Sequence, residues 1–503
     1  MFASIPSAIV LGVDGHPVTV EVHVGRGLPG LTIVGLPDAS CREARDRVRA
    51  AVLASQATWP DLKITVNLAP SSTRKVGSGL DLAIAVGVLV ASEQLELAQT
   101  AGIGFLGELG LDGTVRPITG IVPLVDAIDC TSVVVPVACA TDAELVEGPT
   151  ARSVRTLAEL VSALRGAIPW PDHDRPSQGG SLESVLDLAD VRGQPVVRAA
   201  LEVAAAGAHH LLMVGPPGAG KTMVAERLPG LLPALDRSFA MEVSRIHSAA
   251  GRSLAGGLIR RPPLRAPHHT ATMVALIGGG SDAMRPGEVS LAHGGVLFLD
   301  ELSEFPPSVL DALRQPLEDG VVRVSRARFS ASLPARFLLV AAMNPCPCGE
   351  AGRPGACRCP DGALARYHRR LSGPLLDRFD LRIDVMRPEV DELLGGRPGE
   401  SSAEVAQRVA RARDRAVLRS VRANADLRGP ELERWAPLSD GAQDLLAGVL
   451  RAGRLSARGL DRVRRVALTM ADLAEYDGPL GVEHVSTALQ LRADVRLGAG
   501  VVA

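Results

Sequence analysis

Alternating apolar and polar residues mark two segments near the start of the chain. Residues 18–24 (VTVEVHV) and 64–68 (ITVNL) follow a period of two, which predicts β-strands. Residues 39–55 and 81–92 place their apolar side chains at helical spacing instead. Strands and helices therefore mix in the first third of the chain, and this mixture predicts an α/β unit.

Further along, apolar residues come in short unbroken runs. LLMV at residues 211–214, VLFL at 296–299 and FLLVA at 337–341 are separated by helical segments. Strands that are buried on both faces show no polar alternation, so these runs predict a parallel sheet covered by helices. Clear strand runs end before residue 389, and the remaining region is predicted to be helical.

A polar stretch rich in proline and glycine separates the two α/β regions. Because such a composition cannot bury a core, we interpret residues 166–183 as a linker. The predicted domains are residues 1–165, 184–388 and 389–503.

Composition narrows the possible function classes. The chain has 503 residues, 46% of them apolar, which excludes wholesale disorder. A formal net charge of −2 excludes a uniformly basic coat for nucleic acid, and 3% aromatic residues argue against extensive base stacking. Any contact with a phosphate backbone must therefore come from local patches of charge.

The sequence shows no membrane or secretory signal. The first 15 residues lack a basic n-region, and the longest apolar run, residues 82–91, is shorter than the roughly 20 residues that span a bilayer. Four clustered cysteines favour metal or redox chemistry in a reducing compartment. We therefore expect a cytoplasmic protein without a membrane partner.

The sequence GPPGAGKT follows the run at residues 211–214 and fits the phosphate-loop pattern. Its glycines would let backbone N–H groups close around the phosphates of ATP. Lys221 would reach the β- and γ-phosphates, and Thr222 would bind Mg²⁺. The predicted loop consists of Gly215, Pro216, Pro217, Gly218, Ala219, Gly220, Lys221 and Thr222.

Polar residues also follow the other two apolar runs. Asp300 and Glu301 come after residues 296–299. Asp300 is suited to hold Mg²⁺ together with Thr222, and Glu301 is suited to polarise the attacking water. Asn344 follows the third run and would position that water, although an asparagine before a proline also suits a plain turn.

Longer motifs carry a family resemblance. RAPHHT at residues 265–270, RPGEVSLAHGG at 285–295, MNPCPCG at 343–349 and SGPLLDRFD at 372–380 resemble the ComM/YifB subfamily of magnesium-chelatase-like AAA+ ATPases. The resemblance implies a phosphate-loop AAA+ core with a parallel sheet, a C-terminal helical lid and a hexameric ring. The catalytic residues that it implies are Glu301, Asn344 as sensor 1, Arg378 as arginine finger and Arg458 as sensor 2.

The residues by themselves leave the role of Arg378 open. In the sequence DRFD, an arginine finger and a local salt bridge are about equally plausible. A finger that acts on the neighbouring subunit would place the catalytic site between protomers.

The first domain resembles the Lon-protease-like fold, a ribosomal S5 domain 2-like α/β unit. The segments that carry this resemblance are residues 67–82 and 107–136. Lon-type proteolysis needs a serine and a lysine at positions that here read Gly79 and Val122. Ser78 is displaced by one residue, and Lys75 precedes the loop. A serine without an amine to take its proton is a weak nucleophile, so we predict a proteolytically inactive domain.

Two segments are candidates for substrate contact. Residues 320–330 alternate like a β-hairpin, and the family resemblance places an insertion at residues 252–285 that projects toward the ring pore. His268 and His269 in that insertion suit either substrate contact or local packing. The hairpin arginines suit phosphate contacts, unless the hairpin face is merely solvated; they are Arg323, Arg326 and Arg328.

Cys346, Cys348, Cys357 and Cys359 form two C-x-C pairs separated by eight residues. Four thiolates could close tetrahedrally on Zn²⁺ in a structural site, because four sulfurs leave no open position for catalysis. Four free thiols in a loop are the alternative.

The family resemblance implies a hexameric motor that couples ATP hydrolysis to movement along DNA. Its implied role is a helicase that promotes branch migration in recombination or natural transformation. One alternative is a chelatase-type ATPase subunit that remodels a partner protein for metal insertion. An ATP-dependent protease is a third, and the residues at positions 79 and 122 weaken it.

Overall fold

A computed structural model describes most of the chain. The described ranges are residues 1–173, 186–254, 257–280, 284–326, 329–351, 356–395 and 399–492. Residues 174–183 of the predicted linker and Arg328 of the predicted hairpin lie outside these ranges.

The strands are β1 Phe2–Leu11, β2 Asp14–Gly25, β3 Gly30–Val34, β4 Lys63–Ala69, β5 Ile103–Phe105, β6 Glu108–Leu109, β7 Val115–Arg116, β8 Ser132–Pro136, β9 Thr150–Val154, β10 Leu211–Val214, β11 Leu264–Arg265, β12 Gly278–Gly279, β13 Arg285–Pro286, β14 Val296–Leu299, β15 Val321–Arg326, β16 Phe329–Pro334, β17 Leu338–Met343 and β18 Leu381–Asp384.

The α-helices are α1 Ala39–Ala54, α2 Asp81–Ala91, α3 Ile121–Asp126, α4 Ala140–Ala143, α5 Leu157–Leu164, α6 Pro195–Gly207, α7 Lys221–Ala225, α8 Arg237–Ala249, α9 Met273–Ile277, α10 Glu288–Leu291, α11 Pro307–Ala312, α12 Arg314–Asp319, α13 Asp361–Arg369, α14 Gly373–Leu376, α15 Val390–Gly395, α16 Ser402–Val417, α17 Pro430–Trp435, α18 Asp440–Arg451, α19 Ala457–Leu473 and α20 Val482–Gln490. Short 3₁₀ helices span Leu97–Thr100, Val137–Cys139, Leu188–Asp190, Leu228–Gly230, Leu302–Glu304 and Asn424–Asp426.

The first region is the predicted α/β unit. Strands β1, β2, β4 and β3 form one sheet in that order, with β3 parallel to β4 and the other pairs antiparallel. Helix α2 is apolar on all sides, and every one of its residues is buried against this sheet and α1. A second, parallel sheet contains β5, β8 and β9 in that order.

The middle region contains a parallel sheet with the order β11-β14-β17-β10-β18. The apolar runs at residues 211–214 and 296–299 are β10 and β14, and the third run begins one residue before β17. This confirms the predicted fold class. Because all these strands are parallel, the loops that follow β10, β14 and β17 meet at the carboxyl edge of the sheet.

The last region is helical, as predicted, and packs on the middle region through α16, α19 and α6. One ion pair of α16 joins it to the middle region, and two further pairs, of Arg415 and of Arg419 just after α16, lie within the last region. Arg408 lies 2.6 Å from Glu202 of α6, and both Arg415 and Arg419 pair with the buried carboxylate of Asp472. These three arginines are therefore engaged in contacts within the chain.

The first and middle regions also touch directly, where α3 packs against α8. The backbone N–H groups of Gly120 and Val122 donate to the carbonyl and the hydroxyl of Ser248, at 2.9 and 3.2 Å. Position 122, where a Lon-type protease would carry its lysine, thus lies in an interface between domains. None of the described helices has the length and apolar character that crossing a membrane requires.

Candidate nucleotide site

The predicted phosphate loop lies at the carboxyl edge of the parallel sheet, between β10 and α7. Lys221 is almost fully buried, and its Nζ donates to the carbonyls of Gly215 and Pro216 at 2.7 and 3.0 Å. Gly218 and Gly220 adopt φ angles of 75° and 84°, which favour glycine and keep the loop open to a phosphate. Burial lowers the pKa of Lys221, and the nearby Asp300 and Glu301 oppose that shift.

Side chains from the neighbouring strand ends surround this lysine. Nζ of Lys221 donates to Oδ1 of Asn344 at 3.2 Å, so the predicted sensor residue reaches the loop. Oγ1 of Thr222 donates to Oδ2 of Asp300 at 2.7 Å. A hydroxyl and a carboxylate in contact are a donor set that suits Mg²⁺, and the loop with its buried lysine suits a triphosphate.

Glu301 follows Asp300 with a φ of 51°, a left-handed conformation that is uncommon outside glycine. The carboxylate is exposed, and its Oε2 lies 3.1 Å from Nδ1 of His269. Both side chains line a cavity of about 280 Å³ beside Thr222 and Asp300. The carboxylate of Glu301 is therefore accessible to a ligand in the cavity, and its contact with His269 limits its orientation.

The sequence left the role of His269 undecided and did not single out Gln194. Gln194 precedes α6, and its amide donates to the carbonyls of Ala219 and Met386 at 2.8 and 2.9 Å. This contact ties the phosphate loop to the chain after β18. Nothing in the periodicity marks a lone glutamine before a proline, because its partners are distant in sequence.

The cysteines lie beside the same loop. The Sγ atoms of Cys346, Cys348 and Cys357 are separated by 3.3 to 3.8 Å, and that of Cys359 lies within 4.8 Å of them all. Tetrahedral zinc with Zn–S bonds of about 2.3 Å needs sulfurs about 3.8 Å apart. The donor set therefore fits zinc with small adjustments.

Arg378 lies at the other edge of the sheet. It precedes β18, whose first residue, Leu381, hydrogen bonds to the carbonyl of His210 just before β10. The four residues of β10 span about 13 Å at 3.3 Å per residue, so this amino edge is well separated from the phosphate loop. The structure does not bring Arg378 to Lys221 of the same chain.

The guanidinium of Arg378 pairs with the exposed carboxylate of Glu318. Among the described residues, none accepts a hydrogen bond from its buried Nε. Burial lowers the pKa of Arg378, and the positive charges of Arg462 and Arg458 lower it further. The local pair that the sequence allowed is therefore present, but it leaves one donor of this guanidinium unused.

Arg458 is exposed in the first turn of α19. One turn later, Arg462 donates to the carbonyl of Arg378 at 2.9 Å and to Asp380 at 2.6 Å. The predicted sensor 2 thus lies one helical turn from the residue that contacts the backbone of the predicted finger.

In the first domain, Ser78 donates its hydroxyl to the carboxylate of Glu108. Lys75 is completely buried, and its Nζ donates to the backbone carbonyls of Pro70 and Thr73. Burial lowers the pKa of this lysine. Each candidate protease residue therefore has another hydrogen-bond partner.

The predicted hairpin is present as β15 and β16, paired from Val321 and Pro334 to Arg326 and Phe329. Arg323 is exposed and pairs with Asp319 at 2.8 Å. Arg326 belongs to β15, whereas Arg328 lies outside the described residues. Three residues separate strand β16 from β17, so the base of the hairpin lies near the start of β17, at the amino edge of the sheet.

Family models cover most of this arrangement. The model "Magnesium chelatase, subunit ChlI" matches residues 187–393, "Subunit ChlI of Mg-chelatase" matches 20–138, and "Magnesium chelatase, subunit ChlI C-terminal" matches 399–492.

Full-length relatives are similar over nearly the whole chain. Competence protein ComM of Haemophilus influenzae is 41% identical over 98% of both chains. YifB of Escherichia coli is 42% identical over 97% of this chain and 96% of its own. The magnesium-chelatase 38 kDa subunit of Rhodobacter capsulatus is 26% identical over 42% of this chain and 59% of its own.

Proposed function

The chain belongs to the ComM/YifB subfamily of magnesium-chelatase-like proteins, and we propose that it is an ATP-driven ring motor that acts on DNA. Membership in this family supports the activity of an AAA+ ATPase. Its proposed work is helicase-driven branch migration during recombination or natural transformation. The relative from Haemophilus influenzae is named a competence protein, and this name supports that direction.

The residues at the carboxyl edge would bind and orient ATP. Lys221 and the loop around it would hold the phosphates, while Thr222 and Asp300 would hold Mg²⁺. Bound Mg²⁺ neutralises charge on the phosphate oxygens. Glu301 would accept a proton from the attacking water, and Asn344 would help to orient that water.

The observation that carries the ring is the placement of Arg378 at the amino edge of the sheet, opposite the phosphate loop of the same chain. A guanidinium at the transferring phosphoryl group is worth about 10³–10⁵ in rate. Arg378 lies at the amino edge, and it and Arg458 would supply this charge to the site of a neighbouring protomer. A closed ring of such head-to-tail contacts is the expected assembly, and we propose a hexamer.

The hairpin would contact DNA inside the ring. Arg323 and Arg326 belong to β15 of this hairpin, and together with Arg328 of the sequence they would offer positive charge that suits contacts to phosphates without sequence readout. The first domain would assist assembly or guide the substrate without proteolysis, since Ser78 and Lys75 are each bonded elsewhere. The four cysteines would hold a structural Zn²⁺.

ATP hydrolysis by the full chain, measured with and without forked or four-way DNA, tests this proposal. We expect DNA to raise turnover, and light scattering with saturating ATP to show an oligomer. Lys221→Ala is the control, because loss of a buried charge-assisted contact should weaken nucleotide binding by at least about 100-fold. Turnover that ignores DNA and requires a partner protein would favour the chelatase-type alternative.

A further inference from the structure

We propose that the cysteine site is a zinc clamp on the phosphate loop, so that nucleotide affinity depends on bound zinc. The clamp consists of Cys346, Cys348, Cys357 and Cys359 with the segment 344–350 that carries the first two. This proposal rests on the nucleotide site proposed above, and it assigns a regulatory metal to that site.

The sulfur positions favour a thiophilic cation of tetrahedral preference. Cys346 is buried, and its Sγ lies 3.3 Å from Sγ of Cys348 and 3.8 Å from Sγ of Cys357. The fourth sulfur completes a cluster within 4.8 Å. As thiolates, four sulfurs at these separations would repel one another, and Zn²⁺ would neutralise that repulsion while accepting all four without an open position.

The clamp segment begins at the site itself. Oδ1 of Asn344 accepts a hydrogen bond from Nζ of Lys221, and the backbone carbonyl of Asn344 accepts one from the hydroxyl of Tyr367 at 2.9 Å. Cys346 follows two residues later, so a metal at its sulfur fixes the backbone directly after the predicted sensor. The N–H of Gly349 donates back to the carbonyl of Cys346 at 2.9 Å and closes a turn.

That turn packs closely against the phosphate loop. Gly349 has a φ of 79°, and a Cβ at this position would lie 2.5 Å from Cδ of Pro217. Only glycine allows so close an approach without displacing the loop. Pro217 belongs to the predicted phosphate loop, so movement of the cysteine turn would be transmitted to it.

A charged link supports the same contact. Arg387 donates from Nε and Nη2 to the carbonyl of Pro217, at 3.2 and 3.1 Å. Its guanidinium also lies 3.5 Å from the carboxylate of Glu350, which follows Gly349. The turn and the loop are therefore joined at two points, with Cys346 and Cys348 close to both. Metal binding would order this turn in advance and lower the entropic cost of closing the loop on a nucleotide.

The experiment measures metal content and nucleotide affinity on the full chain. Elemental analysis should give one zinc per chain, and Co²⁺ in its place should show the absorption of a tetrahedral thiolate complex. The Kd of a fluorescent ATP analogue is then measured in excess Mg²⁺, before and after removal of zinc by a zinc-selective chelator. We expect affinity to fall about 10-fold without zinc and to return when zinc is added back.

Variants separate the possible causes. Cys348→Ser should lose zinc and affinity together, whereas Cys130→Ser, which changes a cysteine of the first domain, should change neither. Arg387→Gln should keep zinc but weaken the nucleotide several-fold. Lys221→Ala should keep zinc and lose the nucleotide. Removal and return of zinc on the unmodified chain covers the case in which Cys348→Ser fails to fold.

Two results would overturn the clamp, and a third addresses the nucleotide site. A chain without zinc or Co²⁺ binding refutes the metal site. Full zinc occupancy with a Kd that ignores its removal refutes the coupling. A zinc-loaded chain that binds no nucleotide refutes the proposed ATP function and leaves the metal site standing.

Discussion

The two edges of the parallel sheet differ in what they offer to a nucleotide. The carboxyl edge carries two hydrogen-bonded pairs, Lys221 with Asn344 and Thr222 with Asp300. The predicted finger Arg378 lies instead at the amino edge, at the other end of β10, and Arg458 is one helical turn from Arg462, which contacts Arg378. In the proposed function, one edge would bind the phosphates and activate water, and the other would supply positive charge for hydrolysis.

Under the proposed function, a single protomer would hold an incomplete catalytic set. The amino edge contains a cluster around the buried Asp380. Its carboxylate lies 3.6 Å from Nδ1 of His209 and accepts a hydrogen bond from Arg462 at 2.6 Å, and Arg462 also donates to the carbonyl of Arg378. Burial by itself raises the pKa of Asp380, but the nearby His209 and the charge of Arg462 hold that pKa well below its usual range. The backbone of Arg378 is therefore anchored by Arg462, while its guanidinium pairs with Glu318.

The largest expected effect comes from removing the guanidinium of Arg378 at the amino edge. Arg378→Ala should lower ATP turnover by about 10³-fold or more while the Kd for ATP stays within a few-fold, because the charge acts on the transition state. Steady-state ATPase and equilibrium binding of an ATP analogue measure the two quantities. Unchanged turnover would remove the finger assignment.

Glu301→Gln removes the proposed proton acceptor at the carboxyl edge. It should lower turnover by about 10²–10⁴-fold, because the amide cannot accept the proton of the attacking water. ATP should still bind and hold the ring together, which filter binding and light scattering would show. A variant that hydrolyses ATP normally would disprove the role of Glu301.

Mixing these two variants sharpens the comparison. A site from the Arg378→Ala chain, completed by the arginine of the Glu301→Gln chain, has every group in place. With random mixing in a ring of head-to-tail contacts, about one seam in four is complete. Turnover should therefore rise well above that of either variant alone. A mixture as inactive as its components would mean that Arg378 acts within its own chain.

A smaller effect is expected from His269→Ala, which frees the carboxylate of Glu301. The resulting misplacement should lower kcat by about 10-fold with little change in KM. His269→Gln keeps a hydrogen-bond donor and should retain more of the activity. An effect on KM alone would place His269 in nucleotide binding instead.

The smallest effect concerns the hairpin at the amino edge. Arg326→Gln combined with Arg328→Gln should make the salt dependence of DNA binding shallower by about two units of log–log slope at most. Adding Arg323→Gln should change it less, because this arginine already pairs with Asp319. Arg411→Gln, at an exposed lid arginine paired with Glu475, is the matched control. An unchanged slope would exclude the hairpin from DNA contact.

The amino-acid sequence by itself determined the elements and most of the carboxyl edge. Apolar runs located β10 and β14 to the residue, because buried parallel strands leave no polar position within them. The phosphate-loop motif and the acidic strand end are local patterns, so their chemistry could be predicted from spacing. The family was also identified correctly, since its motifs are long and specific.

Only the tertiary structure decided which of these residues meet. The restraint of Glu301 by His269, the contact of Gly349 with Pro217 and the opposite placement of Arg378 all join residues that are far apart in sequence. Periodicity records which side of an element is buried, but it does not record what lies against that side. Strand order and direction supply this information, because they fix which loops share an edge of the sheet.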